Sequence, residues 1–350
     1  MNGVYGLATR ALRLLDPETA HGLTIAALKA GLGPRPDLQD DPILATRLAG
    51  MTLSNPVGLA PGFDKDGQVP DAMLRAGFGF VECGTVTPLP QGGNPRPRLF
   101  RLTADRAVIN RMGFNNQGLE AFAGRLCARP RRGVVGANVG ANKDSADRIA
   151  DYVTGLRGVW GHCDYVTINI SSPNTPGLRT LQEKQALTDL LGAVAQARLA
   201  LPSPMAIPLF LKVAPDLTDR EVRDIVEAAV AFALDAIIVS NTTLARPQGL
   251  VSSQRDETGG LSGAPLLAPS TRLLSTFFTA AAGRIDLIGA GGVANGADAY
   301  AKIRAGARAV QLYSALVFEG PGLVVRIRRE LAARLRAEGF ASLKDAVGAT

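Results

Sequence analysis

From about residue 54 onward, short apolar runs alternate with longer stretches whose apolar residues recur at helical spacing. The runs are NPVGLA (55–60), FVECGTV (80–86), GVVGANVG (133–140), YVTINI (165–170), PLFLKVA (208–214), AIIVSNT (236–242), IDLIGAG (285–291) and AVQLYSA (309–315). Their apolar character is continuous rather than alternating, as parallel strands covered on both faces require. Helices are predicted between them, over 69–76, 115–127, 145–160, 182–200, 218–233, 269–282, 296–305 and 321–337. Eight strand–helix units predict an α/β fold closed into a (β/α)8 TIM barrel, with a doubly wound open sheet as the weaker alternative.

Residues 1–40 follow another pattern. GLATRALRLL and PETAHGLTIAALKAGLG read as two amphipathic helices parted at Asp16-Pro17, with proline in the first turn of the second. His21, Ile25 and Leu28 share one face of that second helix, and Gly31, Gly33 and Pro34 end it. The pair either caps the bottom or side of the barrel or presents a patch to a membrane surface, and its basic enrichment is modest. The expected division is therefore a helical hairpin over 1–40 and the barrel over 41–350.

Composition narrows the function. The chain has 350 residues, 46% of them hydrophobic, enough for one large core. No run reaches the roughly 18–20 apolar residues of a membrane-spanning helix, and the N-terminus lacks the build of a signal peptide. The net charge of +7 is dispersed apart from short runs such as ARPRR (128–132), which reads as solvated faces rather than a nucleic-acid footprint. Three cysteines without CxxC spacing fit a reducing compartment. The two histidines, His21 and His162, belong to no metal-binding cluster.

Reactive residues are sorted along the chain. Lys65, Thr85, Asn138, Asn169 with Ser172, Lys212, Ser240 with Asn241, Gly292, and Tyr313 with Ser314 all fall at or just past the C-terminal ends of the expected strands. In a barrel those ends share one rim, where the βα loops build the active site. The stretches INRMGFNNQG (109–118), NISSPNTPGL (169–178) and SNTT (240–243) bring Asn110, Asn115, Asn169, Asn174 and Asn241 toward one cavity. A carboxamide both donates and accepts, which suits the edge of a flat ring alternating C=O and N–H; a single asparagine more often stabilises a turn, but five at related strand ends favour a ligand. The glycine loop GAGGVANG (289–296), with LYSA after the eighth strand, matches the usual barrel phosphate position and suits a flavin mononucleotide or a phosphorylated substrate. Lys65 and Lys212 either neutralise charge on ligands or form ion pairs with Asp64, Asp66 or Asp216. Ser172 is the candidate base; it would need a relay for its proton, and no GxSxG elbow or Ser-His-Asp triad surrounds it.

The motifs DPETAHGL, NPVGLAPGFDKDG, GTVTPLPQGGNPRPRLFRL, INRMGFNNQG, NISSPNTPGL, LFLKVAPDL, SNTT, GGLSGAPL, GAGG and QLYSALVFEGP occur in this order. By them the chain resembles the class 2, quinone-linked dihydroorotate dehydrogenases of bacterial type over essentially its whole length. That resemblance implies a flavoprotein with one FMN per chain that oxidises (S)-dihydroorotate to orotate in pyrimidine biosynthesis, with ubiquinone as electron acceptor. It implies that Ser172 removes the C5 proton while the C6 hydrogen leaves toward the flavin, with Thr175 and Phe114 flanking the proton exit. Substrate would be held by Lys65, Asn110, Arg111, Met112, Gly113, Phe114, Asn169, Asn174, Asn241 and Thr242. FMN would contact Ala60, Pro61, Gly62, Phe63, Asp64, Lys65, Thr85, Asn138, Asn169, Lys212, Ser240, Gly263, Gly292, Tyr313 and Ser314. His21 and Arg101 match positions lining the quinone tunnel beneath a hairpin that docks on the bilayer. The class functions as monomers, peripheral to the cytoplasmic face of the inner membrane, and no nucleic acid is expected. A serine base and the hairpin separate it from the soluble, cysteine-using relatives that employ fumarate or NAD. Ser240 stands where threonine is frequent and keeps the hydroxyl; Pro61 stands where alanine is frequent and puts the local backbone contact in doubt.

Overall fold

The computed structural model describes residues 2–36, 39–202 and 207–349. Eight parallel strands close a barrel: β1 (Val57–Leu59), β2 (Phe80–Val86), β3 (Val134–Val139), β4 (Tyr165–Asn169), β5 (Leu209–Val213), β6 (Ala236–Val239), β7 (Asp286–Ala290) and β8 (Ala309–Leu312). Each strand pairs with the next in sequence, and β8 returns to β1 through Val310–Val57 and Leu312–Leu59. The open-sheet alternative is thereby excluded. Helices Pro70–Arg75, Leu119–Ala128, Arg148–Val159, Lys184–Leu199, Asp219–Ala231, Leu267–Ala281, Gly296–Arg304 and Leu323–Ala337 ring the barrel, each within a few residues of its expected span.

Strand residues alternate between two cores, as the pleat demands. Val81, Cys83, Val166, Ile168, Ile237 and Val239 face the helices, whereas Phe80, Tyr165, Phe210, Ile238 and Ile288 fill the bottom of the barrel. Tyr165 stacks on Phe210 with centroids 4.4 Å apart. Two glycines make room for these rings: a Cβ at Gly58 would lie 2.2 Å from Phe80, and one at Gly136 would lie 2.2 Å from Tyr165. Below them an antiparallel hairpin, Thr46–Leu48 with Met51–Leu53, inserts Leu48 and Leu53 as a plug. Nothing in the pattern of apolar runs announces this hairpin.

A second element absent from the sequence expectation closes part of the top. Leu99–Leu102, Ala107–Asn110 and Gly260–Gly263 form an antiparallel sheet in which Asn110 pairs with Gly260 and Ala107 with Gly263. Its own apolar cluster is Phe100, Leu102, Ala107, Ile109 and Leu261.

The N-terminal helices α1 (Asn2–Leu12) and α2 (Pro17–Lys29) form as expected. Asp16 caps α2 by accepting from the Thr19 amide at 2.9 Å, and Pro17 opens it. Their position corrects the bottom-or-side alternative, because the pair lies over the active rim. Glu18 joins Arg98 at 2.7 Å and Arg96 at 2.9 Å, on the loop leading into the upper sheet. Arg98 is 6% exposed and also donates to the carbonyls of Gly92 and Asn94. This pairing gains strength from burial and its two-pronged geometry, unlike an exposed ion pair. Arg101 donates to the Arg13 carbonyl at 2.7 Å, pinning the α1–α2 turn to the same sheet.

Candidate active site

The C-terminal ends of the strands and the inner face of the hairpin enclose one cavity of about 1540 Å³. Its floor is polar. Thr85 Oγ1 donates to Asn138 Oδ1 at 2.5 Å, and Asn169 Nδ2 donates to Thr85 Oγ1 at 2.9 Å and to Asn138 Oδ1 at 3.1 Å. Asn169 Oδ1 accepts from Ser171 Oγ at 2.8 Å, and Ser171 Oγ accepts from Asn241 Nδ2 at 2.9 Å. The chain of bonds thus crosses from β2 to the β6 loop. Beneath it Glu82, fully buried, accepts from Asn138 Nδ2 at 2.6 Å, Tyr165 OH at 3.1 Å and Gln311 Nε2 at 2.7 Å. Every lone pair so engaged fixes a neighbouring side chain, which is how a buried polar network becomes rigid instead of costly.

Ser172 sits in the loop after β4, 5% exposed, and its Oγ accepts from the Asn174 amide at 3.2 Å. Asn174 Nδ2 donates to Asn110 Oδ1 at 3.1 Å, so the β4 loop meets the upper sheet across the cavity. The buried Thr175 hydroxyl has no hydrogen-bond partner among the described residues. Pro173 and Pro176 limit the backbone freedom of this loop.

Among the described residues neither rim lysine forms an ion pair. Asp64 turns inward and accepts from the amides of Gln68 at 2.8 Å and Val69 at 2.7 Å, while Asp216 is engaged by Arg179 and Thr243. Burial pushes the Lys65 ammonium down to about 8, against the opposing pull of Glu18 and Asp66. Burial also lowers Lys212, with Glu82 opposing. Two desolvated cations lining a cavity without carboxylate partners favour an electron-rich or anionic ligand.

The opposite wall is built from glycine and hydroxyl. Gly292, after β7, has φ +84°, and a Cβ there would stand 2.5 Å from the Leu267 backbone. Gly263, with φ +97°, would likewise meet the Arg106 carbonyl at 2.4 Å. Ser314 opens the short helix Ser314–Glu319 after β8 and donates to Ser262 Oγ at 2.7 Å. Loops after the last two strands with a short extra helix are where barrels commonly hold phosphate.

Of the expected residues, the cavity is lined by Ala60, Pro61, Gly62, Phe63, Lys65, Thr85, Asn110, Met112, Gly113, Phe114, Asn169, Ser172, Asn174, Lys212, Ser240, Asn241, Thr242, Gly263, Gly292, Tyr313, Ser314, His21 and Arg101. Four others and Asn115 stand behind the wall. Asp64 and Asn138 brace it from within, Thr175 lies beneath the Ser172 loop, and Arg111 turns outward to Glu257 at 2.7 Å and over the Phe100 ring. Residues the sequence reading passed over are Gln311 and Ser262 at the wall and Glu82 and Asn94 behind it. Glu82, in the middle of a buried strand, was the one legible signal among them, since a carboxylate is rarely fully buried without partners.

The chain matches the family model described as dihydroorotate dehydrogenase over residues 43–335. It belongs to the dihydroorotate dehydrogenase family. Relatives named dihydroorotate dehydrogenase (quinone) include one from Parvibaculum lavamentivorans, 58% identical over 99% of this chain and 98% of its own, and one from Rhodospirillum rubrum, 56% identical over 99% and 94%. A crystal structure of a DHODH from Eimeria tenella in complex with ferulenol superposes with a TM-score of 0.92 at 42% identity, covering 95% of each chain. Both relatives carry the quinone-type name, and they match the chain over the hairpin as well as the barrel. A flavin and a quinone acceptor follow from that family. Among the described residues no helix is long and apolar enough to cross a membrane, and no group of His, Cys, Asp or Glu could hold a metal ion.

Proposed function

We propose that this chain oxidises dihydroorotate to orotate in pyrimidine biosynthesis and passes the electrons through one FMN to ubiquinone. One observation carries the reading beyond the family: a single cavity joins the polar ring around Ser172 to the inner face of the N-terminal hairpin. Dehydrogenation of a C–C bond needs a base for one hydrogen, an acceptor for the other with its two electrons, and an exit for those electrons.

Ser172 is the base. The amide that donates to its oxygen favours negative charge there, and the unpaired Thr175 hydroxyl nearby offers a path for the proton, with Phe114 shielding it from bulk water. Asn110, Asn169, Asn174 and Asn241 hold the amide-bearing ring together with Thr242 and the backbone of Arg111–Gly113. The Lys65 ammonium meets the substrate carboxylate. Because Asn174 bonds to Asn110, and Asn241 to Asn169 through Ser171, little ordering remains to be done when substrate arrives.

Bound FMN would supply the two-electron acceptor. The wall fits it: Ala60–Phe63, Thr85, Ser240 and the unpaired Lys212 face the space for a flat electron-rich ring, and Gly263, Gly292, Tyr313 and Ser314 offer backbone and hydroxyl groups to a phosphate. Lys212, whose ammonium forms no ion pair among the described residues, stabilises negative charge in that ring. Asp64 and Asn138 act from behind by fixing the β1 loop and Thr85.

At the outer end of the cavity His21 and Arg101 line the quinone path. Among the described residues five large apolar side chains of the hairpin are exposed, Leu14 at 88%, Leu32 at 68% and Leu7 at 67% among them. With Arg10 and Arg13 beside them, they suit a peripheral contact with the cytoplasmic face of the inner membrane. The chain acts as a monomer on that surface. The decisive experiment is the visible spectrum of the purified protein: flavin bands bleached anaerobically by dihydroorotate and restored by a soluble ubiquinone are expected, and bands untouched by dihydroorotate would overturn the reading. Heat release of the flavin, identified by chromatography as FMN rather than FAD, tests the cofactor separately.

A further inference from the structure

Behind the glycine loop that follows β7, a lysine is buried without an ion-pair partner among the described residues. Lys302, on the helix Gly296–Arg304, is 0% exposed. Its one hydrogen bond among the described residues goes to Ser270 Oγ, at 2.5 Å. Ser270 belongs to the helix Leu267–Ala281, and its hydroxyl lies 3.2 Å from the Gly291 carbonyl as well as 2.6 Å from that of Leu266. A neutral hydroxyl does not offset the desolvation of an ammonium, and burial pushes Lys302 down to about 7, with only the more distant Asp298 opposing.

The surroundings are shaped around this side chain. A Cβ at Gly289, on β7, would come within 3.0 Å of both Cβ and Cδ of Lys302, so the stem crosses the strand where the strand has no side chain. A Cβ at Gly291 would stand 3.0 Å from Ser270 Oγ and 2.9 Å from Leu266, so the loop is pressed directly on the hydroxyl. Gly291 and Gly292 both have left-handed φ, +96° and +84°, a conformation that turns the backbone sharply toward the cavity. The lysine, the serine and the loop form one stack, with the cavity on its far side.

We infer that Lys302 is a positioning residue for the flavin phosphate: through Ser270 it fixes the Gly291–Gly292 turn, and its charge, without an ion-pair partner among the described residues, is matched by the phosphate dianion bound on the other side of that turn. The inference rests on the reading that this loop holds the phosphate of FMN. A buried cation behind a backbone anion cradle adds electrostatic attraction where the glycine amides add direction, and the low local dielectric keeps that attraction from being screened. Lys212 belongs to another part of the wall, on β5, separated from β7 by β6.

The test separates phosphate from ring. Full-length protein is titrated with FMN and with riboflavin, which lacks only the phosphate, following flavin fluorescence. The wild-type chain is expected to prefer FMN strongly, and Lys302→Met to cut that preference about tenfold or more while leaving riboflavin affinity within about twofold, as loss of a charge-assisted contact predicts. Ser270→Ala, which removes the coupling but not the charge, is expected to lower the preference by a smaller factor. A Lys302→Met protein that keeps the wild-type FMN-to-riboflavin ratio overturns the inference. So does equal weakening of both flavins, the mark of a merely structural defect. If Lys302→Met does not fold, Lys302→Arg and Ser270→Ala carry the same comparison, and an unchanged ratio in both overturns it. A wild-type protein that binds riboflavin as tightly as FMN overturns the phosphate reading itself, and the inference with it.

Discussion

His21 Nδ1, on the N-terminal hairpin, lies 3.4 Å from the hydroxyl of Tyr313, the residue that follows the last barrel strand. Phe63, from the loop after β1, sets its ring edge-on to both, at 5.5 Å from His21 and 5.6 Å from Tyr313. The three rings join hairpin to barrel where the apolar part of the cavity begins. Burial and then the nearby Lys65 charge push His21 down from 6.5 to about 3, with Glu18 opposing. The imidazole is therefore neutral in the folded protein at every ordinary pH. The unfolded chain takes up a proton near 6.5 while the folded one refuses it, so stability from this site is fully present above 6.5 and is lost as pH falls toward 3. The melting temperature of the wild-type protein is expected to fall more steeply between pH 6.5 and 4 than that of His21→Leu. Parallel pH profiles for the two proteins would contradict the buried, neutral assignment.

In the proposed function, Lys65 is the titrating group on the substrate side. With its ammonium pushed down to about 8, the proton proposed to attract the dihydroorotate carboxylate is lost as pH rises through that value. The expected outcome is a fall in kcat/KM for dihydroorotate above about pH 8, since kcat/KM reports the free enzyme. Lys65→Met should raise KM about tenfold or more and flatten this alkaline limb. Steady-state rates across pH 6–10, with quinone saturating, check both statements.

Ser172 makes a sharper test because it touches no cofactor-holding hydroxyl. Ser172→Ala is expected to retain flavin and melt near the wild-type temperature, yet to lose about 10²–10⁴-fold in the rate of anaerobic flavin reduction by dihydroorotate, the usual contribution of a general base. Stopped-flow traces follow the bleaching directly, apart from quinone chemistry. An unchanged rate would remove Ser172 from the base role.

The sequence made the barrel legible because its strands are buried on both faces and therefore read as unbroken apolar runs. It made the rim legible because lysine, asparagine and serine cluster just past those runs. It concealed the plug of Leu48 and Leu53, whose strands of three residues are too short for any periodicity. It also concealed the sheet that pairs Asn110 with Gly260, since partners about 150 residues apart leave no local mark. The asparagines illustrate the remaining gap. Their number pointed to a ligand, but which amides face the cavity and which, like Asn138, serve Glu82 and Thr85 depends on side-chain bonds between neighbouring strands.

The hairpin gives the last prediction. Leu7 and Leu14 are 67% and 88% exposed and stand outside the cavity wall, while the inner face of the hairpin lines the same cavity as Ser172 and Gly292. In the proposed function, membrane docking and quinone entry are assigned to the hairpin and flavin reduction to the barrel. Replacing Leu7 and Leu14 together by aspartate places two charges where apolar surface would enter the headgroup region, and each buried leucine is worth about 1.5–3 kcal/mol in that transfer. The double variant is expected to lose co-sedimentation with vesicles of anionic phospholipid and to turn over a long-chain, vesicle-borne ubiquinone at least about tenfold more slowly. Flavin reduction by dihydroorotate and turnover of a short-chain soluble quinone should stay unchanged. Deleting residues 1–38 should go further and impair both quinones, while sparing reduction so long as the barrel stays folded. If the aspartate variant handled vesicle-borne quinone normally, the exposed leucines would have no part in delivering it.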